Sequence, residues 1–267
     1  MSQPTISFLG CGWLGLPLAD LFFKKGWLVS ASTTSSNKES LFKKHGFTPY
    51  NINIYKEYST DSNFWQSDIL CITIPFKRSL IDPWIYPSAL EKVLICASFS
   101  KIKHILFTSS TSIYSNTFEE CDEKAPIGES ERSKALYAAE NTILKEKKIS
   151  STILRLAGLI GPERQPGKFW RNNKLCQSPN QPVNLVHLED VIAIIEKIID
   201  KNKWGYIFNV ATDGHPLKKD FYTRESKKIG KPVPSFASTS DTDAKKVVLN
   251  KYLKKELSFD FKHKLKE

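Results

Sequence analysis

The chain has 267 residues, of which 40% are hydrophobic and 25% charged, and its formal net charge is +11. This length allows one large domain or a domain with a small lobe, and the apolar fraction excludes a disordered chain. Because no apolar run approaches the ~18 to 20 residues that cross a bilayer, and no signal peptide precedes the first strand, we expect a cytoplasmic protein without a membrane partner.

Strand-like and helix-like segments alternate through the first part of the chain. In chain order, strands are predicted at 6–9, 27–31, 69–74, 104–108 and 152–156, and helices at 13–25, 38–44, 89–98 and 131–147. This alternation is typical of a parallel sheet covered by helices on both faces. The sequence therefore predicts an α/β protein with a Rossmann-type, doubly wound parallel sheet.

The alternation weakens after residue 160. Residues 161–182 contain four prolines and little periodicity, which indicates a long loop beside a site. A helix at 191–199 and a strand at 206–210 follow, and the remainder is rich in lysine. We expect residues 1–160 to form the Rossmann domain, and residues 161–267 to form a small C-terminal substrate lobe interleaved with the end of the sheet.

A glycine-rich segment connects the first strand to the first helix. Gly10, Gly12 and Gly15 form a G-x-G-x-x-G pattern, with Trp13 and Leu14 between the last two glycines. In a βαβ unit these glycines permit a tight turn, a close approach of the backbone to a pyrophosphate, and close packing of helix on strand. The helix N-terminus adds N–H donors and a positive dipole end. This motif predicts a dinucleotide-binding domain, the alternative being an unliganded tight turn.

The segment after the second strand indicates which dinucleotide binds. A carboxylate that selects NAD normally ends this strand, but here Ser32, Thr33, Ser35 and Lys38 precede the first carboxylate, Glu39. Hydroxyl groups with a nearby lysine suit a 2′-phosphate better than a bare ribose. We therefore predict that the site binds NADP, with NAD as the alternative. A third possibility is that the segment is only a polar loop and contacts no ligand.

Three further blocks carry a resemblance to a known family. Residues 107–114 read Phe-Thr-Ser-Ser-Thr-Ser-Ile-Tyr, residues 154–162 read Leu-Arg-Leu-Ala-Gly-Leu-Ile-Gly-Pro, and residues 183–191 contain His187 and Asp190. With the glycine segment, these blocks resemble the extended and atypical short-chain dehydrogenase/reductase superfamily of the NAD-dependent epimerase/dehydratase type, and its YeeZ-like subgroup most closely. Pro75 and Thr108, at strand ends, are also predicted to contact the cofactor.

The resemblance implies catalytic roles that this sequence only partly supplies. Ser110 matches the family serine that polarises the substrate oxygen, but the Tyr-x-x-x-Lys pair that transfers the proton is absent: Tyr137 is followed four residues later by Asn141. A phenol without a neighbouring cation is a poor base at neutral pH. Tyr137 and Tyr114 are the remaining candidates for proton transfer, and a structural helix residue is the alternative for Tyr137.

Other polar residues of these blocks have structural alternatives. The resemblance implies a largely structural role for His187 and Asp190 at the start of a helix. Arg155, Lys168 and Arg171 are candidate contacts for substrate or phosphate, although loop cations are usually solvated. The five histidines are far apart, so we expect no metal site.

Cysteines and charge restrict the partners. The five cysteines are scattered and include no Cys-x-x-Cys pair, which indicates reduced thiols. The lysines after Leu217 are dispersed among acidic residues without a nucleic-acid-binding motif, so a solvated basic face is expected and no nucleic-acid partner.

Three classes of function remain open. The first is an NAD(P)-dependent oxidoreductase or epimerase-type enzyme, a monomer or homodimer, that acts on a polar metabolite smaller than a nucleotide sugar. The second is a non-catalytic NAD(P)-binding sensor or regulatory protein, which the missing Tyr-x-x-x-Lys pair favours. The third, a nucleic-acid-binding protein, rests on charge alone.

Overall fold

The computed structural model describes residues 3–56, 63–77, 79–116, 119–170, 175–238 and 245–266. Its elements in chain order are β1 (Thr5–Leu9), α1 (Gly15–Lys24), β2 (Leu28–Thr33), α2 (Ser36–Lys44), β3 (Thr48–Asn51), β4 (Ile69–Ile72), α3 (Ile85–Ser98), β5 (His104–Ser110), β6 (Glu120–Cys121), α4 (Glu131–Lys145), β7 (Ser150–Leu156), β8 (Gly158–Ile160), β9 (Leu185–His187), α5 (Leu188–Asp200), β10 (Ile207–Val210), α6 (Lys218–Lys228), β11 (Val247–Val248) and α7 (Lys251–Leu257).

Seven strands form the main sheet, in the order β10-β7-β5-β4-β1-β2-β3. Strand β1 pairs in parallel with both β2 and β4, β2 with β3, and β4 with β5. The chain therefore builds the sheet outward in one direction from β1 to β3 and in the other from β4. Ligands of doubly wound sheets bind at the carboxyl ends of the strands where this direction reverses, which here lies between β1 and β4. The predicted α/β fold with a Rossmann-type parallel sheet is confirmed.

The strands and helices form where the apolar pattern requires them. Strand β4 is buried at all four positions, as expected of a strand covered on both faces. Helix α1 buries Leu18 and Phe22, and the Phe22 ring packs 6.3 Å from the ring of Phe8 in β1. Residues of α3 and α4, including Leu90 and Ile143, pack against β4 and β5 in one hydrophobic core cluster. Each such side chain contributes roughly 1.5–3 kcal/mol on full burial.

The chain divides into two compact units. The first comprises residues 1–110, 130–154 and 202–207, and the second comprises residues 111–129, 155–201 and 208–267. Most of the predicted C-terminal lobe, 161–267, lies in the second unit, which has a smaller core cluster that includes Ile160, Val183 and Phe221. The boundary at residue 160 stays a prediction.

Two short strand pairs belong to segments that the alternation pattern did not predict. Strands β8 and β9 pair in parallel, as do β6 and β11.

Across the described residues, no helix combines the length and the apolar character that spanning a membrane requires.

Candidate cofactor and active site

A cleft of about 260 Å³ opens within the first unit at the carboxyl ends of β1, β2, β3 and β4. The described residues that line it are Gly10, Cys11, Gly12, Ser32, Thr33, Thr34, Lys38, Ile52, Asn53, Ile54, Tyr55, Ile74, Pro75 and Lys77. The predicted cofactor residues Gly10, Gly12, Ser32, Thr33, Lys38 and Pro75 are thus brought together. The cleft includes the ends of both strands at the reversal point of the sheet, where a ligand is expected.

The three glycines of the loop after β1 meet different steric conditions. Gly10 has φ +96°, and a Cβ there would lie 2.6 Å from Cγ1 of Ile74. A Cβ on Gly15 would lie 2.8 Å from the Gly10 carbonyl oxygen and 2.9 Å from Oγ1 of Thr73. A Cβ on Gly12, by contrast, would meet no atom closer than 3.9 Å. Gly10 and Gly15 are therefore required by the fold itself, whereas Gly12 leaves free space in the lining of the cleft.

Hydrogen bonds fix this loop to the neighbouring strands. The amide of Gly10 donates to Oγ of Ser32 at 2.8 Å, and the amide of Cys11 donates to the Ser32 carbonyl at 3.1 Å. On the other side, Oγ1 of Thr73 donates to the Gly10 carbonyl at 2.8 Å. Ser32 is 2% exposed. Its hydroxyl therefore holds the glycine loop in place and is not freely available to a ligand.

Polar and basic groups lie at the start of α2. The amide of Ser35 donates to Oγ1 of Thr33 at 3.1 Å, and Lys38 is exposed at the edge of the cleft. Burial raises the pKa of the Cys11 thiol to about 12, and the positive charge of Lys38 opposes this shift. The ammonium group of Lys38 is therefore close enough to the glycine loop to act on it electrostatically. The Cys11 thiol itself stays protonated and unreactive at neutral pH.

The remaining predicted cofactor residues lie beside this cleft. Leu14 is buried immediately before α1, and Trp13 is half-buried in the same loop. Ser35 is the residue that precedes α2, and Thr108 is buried in β5, where its hydroxyl donates to the Ile72 carbonyl at 3.2 Å. None of these side chains is among the described residues that line the cleft, and their contact with a cofactor stays a prediction.

The part of the cleft lining that follows β3 was not predicted from the sequence. Residues 52–55 after this strand, and Lys77 after β4, complete the cleft. The ammonium of Lys77 lies 5.7 Å from the centre of the Tyr55 ring, within the range of a cation–π contact. The position of Lys77 two residues after Pro75, past a buried strand, was the available signal for it.

Two of the catalytic candidates lie in the first unit. Ser110 is the last residue of β5, at the same carboxyl edge of the sheet as the cleft, and it is half-buried. Tyr137 lies on α4 with 44% of its surface exposed. Lys134, the nearest cation in sequence, bonds Oε1 of Glu131 at 3.1 Å. Their catalytic roles stay predictions.

The third candidate, Tyr114, is buried in the second unit. Its hydroxyl donates to Oδ1 of Asn209 at 2.6 Å and accepts from Nη1 of Arg155 at 2.8 Å. Burial raises the pKa of this phenol to about 12, although the Arg155 charge opposes the shift. Arg155, a predicted substrate contact, is itself 3% exposed and also donates to the Glu123 carbonyl. These surroundings are those of a buried structural hydroxyl.

The His-x-x-Asp segment forms the start of α5. Nδ1 of His187 accepts a hydrogen bond from the amide of Glu189 at 3.2 Å and so caps the helix. Asp190 is 2% exposed, and its carboxylate accepts from the amides of Lys262 and His263. Both residues therefore have the structural contacts that the resemblance implied. Of the loop cations, Lys168 is half-buried, and Arg171 lies outside the described residues.

The fold and the glycine-lined cleft define an α/β protein of the Rossmann type. The sequence is 32% identical to "Protein YeeZ" of Escherichia coli K12 over 97% of this chain and 96% of that protein. The chain therefore belongs to the YeeZ family. No protein-family model matches the sequence.

Solved structures share the fold over nearly the whole chain. A conserved protein from Silicibacter pomeroyi has a TM-score of 0.77 at 20% identity, covering 98% of this chain and 94% of its own. The UDP-glucuronic acid 4-epimerase of Bacillus cereus, in complex with NAD, has a TM-score of 0.79 at 16% identity, covering 97% and 94%. A short-chain dehydrogenase/reductase superfamily protein from Agrobacterium tumefaciens with bound NAD has a TM-score of 0.79 at 12% identity, covering 97% and 93%.

Proposed function

We propose that the cleft binds a nicotinamide dinucleotide, NADP in preference to NAD, and that the protein is an oxidoreductase or epimerase-type enzyme that acts on a small polar metabolite. The observation that carries this proposal is the free space at Gly12. Gly12 lines the cleft, although the packing of the protein itself leaves room for a side chain there. The other two glycines of the motif, Gly10 and Gly15, are required by that packing. Free space of this kind lets a pyrophosphate approach the backbone. The complexes of the Bacillus cereus and Agrobacterium tumefaciens proteins with NAD support the class of cofactor.

The charge of the cleft supports a preference for NADP over NAD. Lys38 and Lys77 line it, and the described lining contains no carboxylate. A carboxylate at the end of β2 would hold the ribose hydroxyls of NAD and repel a 2′-phosphate, but this strand ends at Thr33. The 2′-phosphate adds charge that a lysine at this position offsets.

Cofactor titrations test the proposal. Dissociation constants of NADPH and NADH are measured by calorimetry for the wild type and for Lys38→Ala. We expect tighter binding of NADPH in the wild type, and a loss of about tenfold or more in NADPH affinity in Lys38→Ala with NADH unchanged, since a charge-assisted hydrogen bond contributes about 1.5–3 kcal/mol. Lys44→Ala, an exposed lysine at the other end of α2, is the matched control. Tighter binding of NADH by the wild type would contradict the preference.

The chain supplies a hydrogen-bond donor for the substrate oxygen, Ser110, but only part of the pair of residues that transfers a proton. A bound nicotinamide supplies hydride transfer. Ser110, at the carboxyl edge of the sheet, donates its hydroxyl proton in a hydrogen bond to the oxygen of the reacting carbonyl or alcohol, which stabilises developing negative charge. Tyr137 is the accessible candidate for proton transfer, and Tyr114 serves the structure of the second unit. Because Tyr137 lacks a lysine four residues later, turnover is slow.

A non-catalytic dinucleotide sensor is the second candidate function. It is favoured by the ion pair that holds Lys134 to Glu131 and by the exposure of Tyr137, since proton transfer by a phenol needs a positioned hydroxyl with a cation beside it in a closed site. Absorbance of NADPH, followed during a screen of small carbonyl compounds and alcohols, decides between the two functions. Turnover of any substrate by the purified protein supports the enzyme, and cofactor binding without turnover supports the sensor.

The cleft and the cysteines also bear on the partner and the compartment of the protein. The partner we propose is a small-molecule substrate, the chain acting as a monomer or homodimer. All five cysteines are buried thiols, which supports a reducing, cytoplasmic compartment.

A further inference from the structure

Three side chains with metal-ligating atoms meet in the second unit. They are His187, Glu189 and His263, and their ligand atoms all lie within 4.8 Å of one another. Ligand atoms around a tetrahedral Zn²⁺ with bonds of about 2.0–2.2 Å are separated by roughly 3.3–3.6 Å. Side-chain rotation alone covers the remaining distance, since Glu189 is exposed and both histidines are only half-buried.

The backbone on both sides of this cluster is fixed. His187 is the last residue of β9 and caps α5 with its side chain, and Glu189 lies in the first turn of that helix. His263 comes from the C-terminal segment, whose amides at Lys262 and His263 donate to the buried carboxylate of Asp190 at 2.9 and 3.1 Å. The three ligands are therefore presented by two segments that are already held together without a metal ion.

The carboxylate of Asp190 also favours one tautomer of the His263 ring. Its Oδ2 lies 3.2 Å from Nδ1 of His263, which favours a proton on that nitrogen. Nε2 is then the nitrogen with the free lone pair, and it lies 3.5 Å from Oε2 of Glu189. A buried carboxylate on the second nitrogen of a histidine is the usual support of a metal-binding imidazole, because it orients the ring and makes it more basic.

The two histidine rings lie face to face, with their centres 3.8 Å apart and an angle of 26° between them. A metal ion binds the neutral form of an imidazole, through the ring nitrogen that carries no proton. Two contacts compete with a metal ion: the helix-capping bond of His187, 3.2 Å long, and the pairing of Lys262 with Glu189 at 3.1 Å. Both are at exposed or half-exposed groups and are worth little individually.

We propose that His187, Glu189 and His263 form a binding site for a divalent transition metal ion of the Zn²⁺ class, which links the start of α5 to the C-terminal segment. Two imidazole nitrogens and one carboxylate oxygen are a ligand set that Zn²⁺ accepts, with a water molecule at the fourth position. Lys262 then turns toward solvent, and α5 keeps the Glu189 backbone in place through its remaining hydrogen bonds.

Titration of the metal-free protein with Zn²⁺ tests this site. The wild type is expected to bind one ion per chain, and bound Co²⁺ is expected to show the intense visible absorption of tetrahedral coordination. Asp190→Asn should weaken binding by about 10- to 100-fold, and His187→Ala and His263→Ala should weaken it further. His45→Ala is the matched control, because His45 also pairs with a carboxylate, Asp20, at 2.7 Å but has no second ligand-type side chain in the described clusters.

Unfolding of each metal-free variant is followed by circular dichroism, so that loss of binding is separated from loss of folding. If the histidine variants do not fold, Glu189→Gln decides, because its side chain is exposed. It should weaken Zn²⁺ binding and change the Co²⁺ spectrum. Zn²⁺ affinity that is unchanged in Glu189→Gln and in the double variant of His187 and His263, or the absence of stoichiometric binding by the wild type, would overturn the proposal.

Discussion

The guanidinium of Arg155 bonds the hydroxyl of Tyr114 at 2.8 Å and also lies over its ring, 5.1 Å from the ring centre. Both side chains are almost completely buried, at 3% and 2% exposure. The hydroxyl of Tyr114 in turn donates to Oδ1 of Asn209, and the backbone N–H of Asn209 donates to Oε1 of Glu123 at 2.8 Å. A tyrosine that the family resemblance brings forward for chemistry is therefore the centre of a buried polar network.

Removal of the Tyr114 hydroxyl is expected to destabilise the protein. Tyr114→Phe leaves Arg155 and Asn209 each without one partner in a buried environment, which costs about 1–3 kcal/mol of unfolding free energy. The exposed Tyr137→Phe is the control and should change this free energy by less than about 0.5 kcal/mol. Urea denaturation measures both variants, and equal stability of the two would show that the network contributes nothing.

Substitution of Gly12 should separate binding from folding. A side chain at this position meets no protein atom closer than 3.9 Å but projects where the pyrophosphate should pass. Gly12→Val is expected to raise the dissociation constant of the dinucleotide by about 100-fold or more, close to 3 kcal/mol, without lowering stability. Gly15→Val should instead destabilise the fold by about 1–3 kcal/mol, because its Cβ overlaps the Gly10 carbonyl. Calorimetry gives the binding and thermal unfolding the stability, and unchanged binding in Gly12→Val would remove the main support for the cofactor site.

Substitution of Ser110 tests the chemistry once a substrate is found. Ser110→Ala is expected to reduce turnover by about 100-fold, the usual cost of losing one donor to a developing oxyanion, with cofactor affinity nearly unchanged. Steady-state rates and cofactor titration are measured on the same preparation. Full activity of the variant would show that this serine is only the last residue of β5.

Stability should fall in mild acid partly through His104. Burial lowers the pKa of this histidine below its ordinary value of 6.5, with Lys103 acting in the same direction and Asp68 opposing it. Its ring stacks on Trp204 with 4.4 Å between ring centres. The unfolded chain therefore binds this proton more readily, so the stability that the neutral ring contributes is complete above pH 6.5 and is lost as the pH falls below it. In His104→Phe, which keeps a flat ring on Trp204, urea denaturation at several pH values should show a smaller loss between neutral and mildly acidic pH. An identical loss in both proteins would assign the effect to other groups.

The parts of the fold that depend on local signals could be predicted from the sequence. The glycine spacing and the apolar helix after it identified the turn at Gly10 and Gly12, because a tight strand-to-helix turn needs residues without side chains at fixed positions in the sequence. Helix α1 was predicted from Trp13 but begins at Gly15. The loop uses the two residues before it, and helix ends are the least determined feature of a periodic pattern.

The unpredicted parts depend on tertiary context. Strand β3 lies at the edge of the sheet and contains Pro49, so it has neither alternation nor a continuous apolar run, and the cleft residues that follow it were missed with it. Helix α6 is polar along most of its length and buries only three residues. The approach of His263 to His187 has no local signal at all, since it depends on where the C-terminal segment packs.

Strand β10 closes one end of the sheet, beside β7, although it follows β7 in sequence only after α5. A polypeptide shortened at residue 160 would retain the whole glycine-lined cleft but not this last strand. The amide and carbonyl groups of β7, buried at every position except its first, would then be free to pair with a second polypeptide. Such a fragment is expected to self-associate through strand addition, even though every residue that lines its cleft is intact.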